Sequence, residues 1–122
     1  MGFQVASLFA LAVLAASPAA HADGDAARGR ELYEDECSAC HAVDENRFGP
    51  RHRGVYGRAA GSVSDYAYSM ALRDSKIIWG ADALDKWLAD PQAFVPGQKM
   101  NVKVDDPQDR ADLIAYLTTL SK

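Results

Sequence analysis

The chain has 122 residues, a single-domain length, and a formal net charge of -4 at pH 7. Binding to nucleic acid or to an anionic membrane surface is disfavoured, because both require a positive field against phosphate. Its two cysteines, Cys37 and Cys40, would close only a very small loop as a disulfide, which would restrain little of the unfolded chain.

The first 22 residues predict a secretory signal peptide. Residues 5–16 are mostly apolar and uncharged, and residues 20–22 (Ala-His-Ala) form a small-x-small cleavage pattern. Because the apolar run is short for a bilayer span, we expect cleavage after residue 22 and a single mature domain over 23–122. The alternative is an uncleaved anchor, since no Lys or Arg precedes the apolar run. Export places the mature chain in an oxidising compartment, which is the periplasm if the source is a bacterium.

Helices are predicted at both ends of the mature chain. The first runs from Asp23 to Cys40, with Asp23 or Asp25 as its cap and charges surrounding one apolar face. The last begins at Asp106-Pro107, a capping residue followed by a proline in the first turn, and runs to about Leu120. An apolar stripe along this last helix is typical of a core-facing surface.

Two shorter helices are predicted in the middle of the chain. One is expected around 69–74, and a clearer one over 82–90, where Leu84, Trp87 and Leu88 recur at helical spacing. Pro91 should end this helix, since the residue before a proline is biased away from helical conformation.

Long loops fill the remainder. Four glycines and Pro50 interrupt residues 42–61, and prolines divide the predicted loop over 91–104. No alternation of strands and helices is present, so the fold class is all-α, with three to five helices. Loops of this length suit a compact domain if they wrap around something, such as a large flat apolar cofactor.

The stretch "CSACH" over 37–41 has three interpretations. A dithiol oxidoreductase places its CxxC on a helix after a strand, and no strand pattern precedes Cys37. A structural zinc site needs four ligands, and adjacent Cys40 and His41 would have difficulty chelating one ion. The haem interpretation is the strongest. Cys37 and Cys40 project to the same side of a helical turn to form two thioethers, and His41 follows as an iron ligand.

Iron held by His41 requires a sixth ligand or an open site. His52 lies only eleven residues beyond His41, too close to reach the opposite haem face easily. Met70 has helical spacing to other apolar residues and is expected to pack in the core. Met100, in the loop "VPGQKM", is presented by a Pro-Gly turn and is therefore our predicted axial ligand.

The mature chain resembles a class I c-type cytochrome, a bacterial soluble and exported monohaem cytochrome c, along nearly its whole length. The matching pieces occur in family order: "CSACH", "FGPRHRGVYGRAAG", "YAY", "IIW", "LADPQAFVPGQKM" and "DLIAYL". The resemblance implies one covalent haem c with its iron, attached through Cys37 and Cys40 and ligated by His41 and Met100. It also implies a close crossing of the first and last helices at Gly29 and Tyr116.

Further positions are implied by the resemblance alone. The carbonyl of Pro50 would accept a hydrogen bond from the outer nitrogen of His41 and so orient the ring. Arg58, Tyr68 and Trp79 would lie near the haem propionates, where buried carboxylates need donors. Trp87 would also contact the haem, at a position where a tyrosine is common.

Two other departures from the family pattern concern the iron ligands. His52 stands where the family usually has an apolar residue against the haem edge. Gln98 replaces a hydroxyl residue shortly before the axial methionine, so a hydrogen bond near Met100 is either lost or remade.

The resemblance implies a soluble one-electron carrier and not an enzyme. Such a protein is a monomer, without stable membrane insertion once its leader is removed, and it docks transiently with redox proteins at the exposed haem edge. The acidic run Glu34–Glu36 lies beside the first thioether position, so the partner surface is expected to be less acidic than that of mitochondrial oxidase. The rivals are a haem enzyme or gas sensor with an open sixth position, and a domain detached from a larger enzyme.

Overall fold

The computed structural model describes residues 1–2 and 24–121. Five helices lie in the described residues: α1 (Ala26–Glu36), α2 (Met70–Arg73), α3 (Ala81–Ala89), α4 (Pro91–Phe94) and α5 (Pro107–Thr118). The extended segments contribute one isolated antiparallel bridge, between Ala59 and Ile78. The all-α prediction is confirmed. Beyond its first two residues, the predicted leader falls outside the described part, and its cleavage stays a prediction.

Helix α1 begins where its cap predicts but ends earlier than expected. The Asp25 carboxylate accepts from the backbone N–H groups of Ala27 and Arg28. The N–H groups of Cys37 and Ser38 both return to the carbonyl of Tyr33, at 2.9 and 3.1 Å. This shared acceptor closes the helix at Glu36, so the predicted extension to residue 40 is wrong. Residues 37–40 form a separate turn.

Helix α5 packs across α1. Asp106 accepts from the N–H groups of Gln108 and Asp109, and Pro107 occupies the first helical position. A Cβ built on Gly29 of α1 would overlap the carbonyl oxygen of Asp112 in α5 and would lie 3.0 Å from Cβ of Tyr116. The expected crossing at Gly29 is therefore present, and glycine is required there by space.

Pro91 both ends α3 and starts another helix. The prediction that 91–104 is all loop is wrong, because the Asp90 carboxylate accepts from the N–H of Ala93 at 3.1 Å and caps α4. Pro91 lacks an N–H and suits the first helical position, so one residue stops the first helix and opens the second. Among the described residues, no helix has the length and apolarity to cross a membrane.

The short helix α2 forms where expected, but one of its side chains lies elsewhere. Ser69 caps it by accepting from the N–H of Leu72 at 3.1 Å. Met70 is 69% exposed, so the prediction that it packs in the core is wrong. The helical spacing of a four-residue element is too short a signal to assign a buried face.

The core packs the first and last helices together and borders a cavity. Its buried side chains come from α1, α3, α5 and the loops between them: Tyr33, Val55, Ala60, Trp79, Leu84, Leu88, Val104, Leu113, Leu117 and Leu120. Met100 and Cys37 pack against this cluster from opposite segments of the chain. The cluster forms one side of the functional site.

Candidate functional site

A cavity of about 450 Å³ is lined by both the Cys-His turn and the Met100 segment. Its walls come from the turn at 37–41, the loop over 48–58, the segment 98–104 and side chains of α1, α2, α3 and α5. Most of these side chains are apolar. The long glycine- and proline-rich loops therefore do wrap around a space, as their length predicts.

The two cysteines lie on one helical turn. The N–H of Cys40 donates to the carbonyl of Cys37 at 3.1 Å, and the N–H of His41 donates to the same oxygen at 2.9 Å. The pKa of Cys37 is raised to about 12, mainly by burial and to a smaller extent by the nearby Glu36 and Cys40. A dithiol oxidoreductase lowers the pKa of its attacking thiol, so this thiol has the opposite of the character that interpretation needs.

His41 is oriented by the loop that faces it. Its Nδ1 donates to the carbonyl oxygen of Pro50 at 2.8 Å, which leaves Nε2 as the free ring nitrogen. A Cβ on Gly49 would overlap the His41 ring, so only glycine permits this approach. Burial lowers the pKa of His41, and the Pro50 hydrogen bond partly opposes the shift. The imidazole is neutral at pH 7 and suited to a metal.

His52 lies beside His41. The two rings stack with centroids 4.0 Å apart and an interplanar angle of 19°, so His52 does not face His41 across the cavity. The hydroxyl of Tyr33 and Nδ1 of His52 are hydrogen-bonded at 2.9 Å. The pKa of His52 is held well below its ordinary value, mainly by burial and to a smaller extent by the nearby His41 and Arg58. His52, with its bond to Tyr33, thus occupies the position where the family usually has an apolar residue.

Met100 is the other predicted iron ligand. It is partly buried, lines the cavity and packs against the hydrophobic core. Gly97 precedes it with φ of 94°, a left-handed conformation that favours glycine in the predicted Pro-Gly turn. Gln98 is 8% exposed and bonds the backbone of Met100. Gln98 thus forms hydrogen bonds within the same loop, to the main chain of Met100.

Arg58 and its neighbours form a further part of the cavity lining. Its guanidinium donates from Nη1 to the carbonyl of Arg53 at 3.1 Å and from Nη2 to that of Arg51 at 3.0 Å. The Arg58 carbonyl accepts from the N–H of Trp79 at 2.9 Å, and Tyr68 also lines the cavity. Burial lowers the pKa of Arg58, yet the group stays charged at pH 7.

The aromatic walls complete the enclosure. Trp79 is 6% exposed, and its ring meets that of Trp87 edge to face with centroids 5.2 Å apart. The hydroxyl of Tyr68 accepts from the N–H of Val63 at 3.2 Å. All nine predicted site residues line this one cavity: Cys37, Cys40, His41, Pro50, Arg58, Tyr68, Trp79, Trp87 and Met100.

These walls fit a haem. The cavity is apolar, as a porphyrin requires, and both a neutral imidazole and a thioether belong to its lining. Nε of Arg58 is buried without a hydrogen-bond partner among the described residues. A carboxylate of the bound group would satisfy this nitrogen. Zinc finds no comparable support, because no group of three or more His, Cys, Asp and Glu side chains in the described part is arranged to hold a metal.

Three contributions were missed at the level of sequence. Gly49 appeared only as one of the loop glycines, although its position immediately before Pro50, the ring acceptor, was the available signal. The bond between Tyr33 and His52 was not foreseen, because no local pattern relates two residues nineteen positions apart. The direction of the Gln98 amide depends on the turn geometry and has no sequence signature.

Comparisons with known proteins agree with this geometry. The family model for cytochrome c matches residues 26–121. Cytochrome c of Euglena viridis is 43% identical over 100 residues, which cover 80% of this chain and 98% of that protein. The cytochrome c-type cyt cy of Rhodobacter capsulatus is 43% identical over 101 residues, covering 81% of this chain and 51% of that protein. The solved structure of cytochrome cH from Methylobacterium extorquens is 44% identical, with a TM-score of 0.75, over 79% of this chain and 99% of that one.

The chain therefore belongs to the cytochrome c family. Members of this family carry a covalently attached haem c with its iron, and the CxxCH stretch and the cavity of this chain are consistent with that cofactor. The fold is that of the family, as the solved cytochrome cH structure also indicates.

Proposed function

We propose that this chain, an electron carrier of the cytochrome c family, is a soluble periplasmic one-electron shuttle with His41 and Met100 as axial ligands. The single observation that carries the proposal is that both of these side chains line one apolar cavity. When bound, haem c supplies an iron that accepts and releases one electron. If His41 and Met100 both held the iron, no coordination site would remain for a substrate.

The role proposed for His41 follows from its hydrogen bond. The Pro50 carbonyl fixes the ring tautomer and makes the free nitrogen a better donor to a metal. The ring of His52, which stacks on that of His41, also restricts rotation of the His41 ring. This arrangement would keep ligation unchanged between the two oxidation states.

Arg58, Tyr68 and Trp79 are proposed to receive the carboxylates of the cofactor. Nε of Arg58 is already buried and without a partner among the described residues, so a carboxylate would be paired at no further desolvation cost to the arginine. Trp87, in edge contact with Trp79, would cover the same side of the ring.

We infer that transient docking occurs at the mouth of the cavity. The exposed residues of its lining include one anion and one cation: Glu36, Cys40, Phe48, Lys99 and Asn101. Two neighbouring arginines are already paired, Arg51 with Asp65 at 2.7 Å and Arg53 with Asp44 at 2.5 Å. The mouth is therefore nearly neutral, which favours a partner surface less acidic than that of mitochondrial oxidase. Transfer rates that fell steeply with salt against an acidic partner would contradict this inference.

Periplasmic location rests on the leader predicted over 1–22. Sequencing the amino terminus of protein recovered from a periplasmic fraction would test it directly. A mature chain that begins at Asp23 is expected, whereas an intact leader recovered with membranes would indicate the anchored alternative.

The optical spectrum of the purified holoprotein tests the ligand assignment. The oxidised protein should show a sulfur-to-iron charge-transfer band, which Met100→Ala should abolish while opening the iron to carbon monoxide. Met70→Ala is the matched control, because Met70 is 69% exposed and should leave the band intact. High-spin iron that binds carbon monoxide readily in the unmodified protein would favour a haem enzyme or gas sensor instead.

A further inference from the structure

Gln98 is a buried polar side chain with an uncommon set of partners. It is 8% exposed, although it lies in a surface loop. Its Nε2 donates to the carbonyl oxygen of Met100 at 2.7 Å, and its Oε1 accepts from the N–H of Met100 at 2.5 Å. One side-chain amide thus satisfies both backbone groups of the residue two positions ahead.

The segment that carries Met100 has few other attachments. The N–H of Gln98 donates to the carbonyl of Val95 at 3.1 Å, and the next backbone bond along the chain is from Val104 to Leu88 at 2.8 Å. Between them, among the described residues, 99–103 make no backbone-to-backbone hydrogen bond. A segment held this weakly is expected to open locally at low free-energy cost.

We propose that Gln98 is a positioning residue that clamps the backbone of Met100 and so keeps its thioether turned into the cavity. This inference rests on the proposed function, in which Met100 is the sixth ligand. Gln98 acts through the main chain of Met100, and it lowers the fraction of molecules in which the loop opens and the thioether leaves.

The amide is suited to this task because it supplies a donor and an acceptor in one plane. Leucine, of similar size, supplies neither and would leave two buried backbone groups without partners. Asparagine keeps the amide but is one methylene shorter and cannot reach both groups at once. Gln92 offers a matched control, since its Oε1 is 3.5 Å from Nε2 of Gln98, at the limit of a hydrogen bond.

The test compares loss of the charge-transfer band with loss of helix in a urea titration of the oxidised holoprotein. Band loss reports release of Met100, and far-ultraviolet circular dichroism reports global unfolding. Gln98→Leu should increase the Met100-released population before unfolding by about tenfold or more, and Gln98→Asn by a smaller factor. Gln92→Leu should leave both transitions unchanged. A purely structural role would shift both transitions of Gln98→Leu together, and that result would overturn the proposal.

Hydrogen exchange provides a measurement that needs no variant to fold. In the reduced wild-type protein, the amide of Met100 should exchange at least about tenfold more slowly than that of Asn101, which is exposed and lacks such a bond among the described residues. Equal rates would show that the clamp is absent. If the wild-type protein lacks the charge-transfer band but Met100 N–H is protected, the ligand assignment fails while the clamp stands. If the band is present and protection is absent, the clamp alone fails.

Discussion

The crossing of α1 and α5 and the loops around the cavity are stabilised by different means. The crossing is stabilised by close packing and by a buried carboxylate, Asp112, that both helices share. The cavity loops are held by single side chains that bond backbone groups, as Arg58 and Gln98 do. Damage to the crossing should therefore unfold the whole protein, whereas damage to the loops should first alter the site.

The most severe test of this contrast is Gly29→Val. Its Cβ would overlap the Asp112 carbonyl oxygen, and backbone on both sides leaves no room to relax. We expect a loss of about 3 kcal/mol in the free energy of unfolding, measured by urea denaturation. Gly80→Ser is the control, because no atom lies within 4 Å of a Cβ there and serine can cap α3. If the Gly29→Val variant folded with normal stability, close packing at the crossing would not be what stabilises the protein.

Asp112→Asn should have the next largest effect. The Asp112 carboxylate is 1% exposed and accepts from the Asp25 N–H at 2.7 Å, from Gln108 at 2.9 Å and from Arg28 at 2.5 Å. An amide cannot accept all three bonds at once. The cost expected at pH 7 is about 2 kcal/mol in the free energy of unfolding.

The pH dependence of that cost has a definite sign. Burial would raise the pKa of Asp112, but hydrogen bonds from Asp25, Arg28 and Gln108 together lower it below the ordinary value of 3.8. A carboxyl whose folded pKa is depressed stabilises the protein above pH 3.8, and this stabilisation is lost as pH falls through the folded pKa. Wild type and Asp112→Asn should therefore converge in stability between pH 4 and pH 2 (roughly). A gap that widened on acidification would contradict this assignment.

Tyr33→Phe tests the place where the two regions meet. Tyr33 belongs to α1 and is 5% exposed, and its hydroxyl reaches His52 in the cavity loop. Removing the hydroxyl should cost about 1 kcal/mol of unfolding free energy and should also disturb His41, on which His52 stacks. Tyr66→Phe, which removes a hydroxyl bond to Phe48 at a less buried position, should cost less and leave His41 undisturbed. The histidine ring resonances and urea denaturation would record both effects.

The same contrast explains how far the sequence could predict the molecule. The helices of the crossing could be located because Asp25 and Asp106 cap them by bonds to residues two and three positions ahead. Such local signals are readable in a single sequence. The end of α1 was misplaced because helix propensity continues past Glu36, and the termination depends on two amides competing for the Tyr33 carbonyl.

The site was predictable as a set of residues but not as a set of contacts. The CxxCH stretch, the "GP" pair and the "PGQKM" loop identified the cavity walls because covalent attachment and ligation restrict residue type. The bond from Tyr33 to His52 and the double bond of Gln98 to Met100 depend on how loops fold against the core. Periodicity also failed for Met70, since its helix α2 has only four residues.

The smallest expected effect is at Lys76, in the loop region. Lys76 has φ of 61° and is the only described residue other than glycine in the left-handed region, where a Cβ is unfavourable. Lys76→Gly relieves this strain but adds freedom to the unfolded chain, so the net gain should be about 0.5 kcal/mol in the free energy of unfolding. Lys86→Gly, within α3, should instead lose about 1 kcal/mol. Because Lys76 lies outside the cavity lining, its replacement should leave the charge-transfer band unchanged, and a stability gain accompanied by a shifted band would show that this loop is coupled to the site.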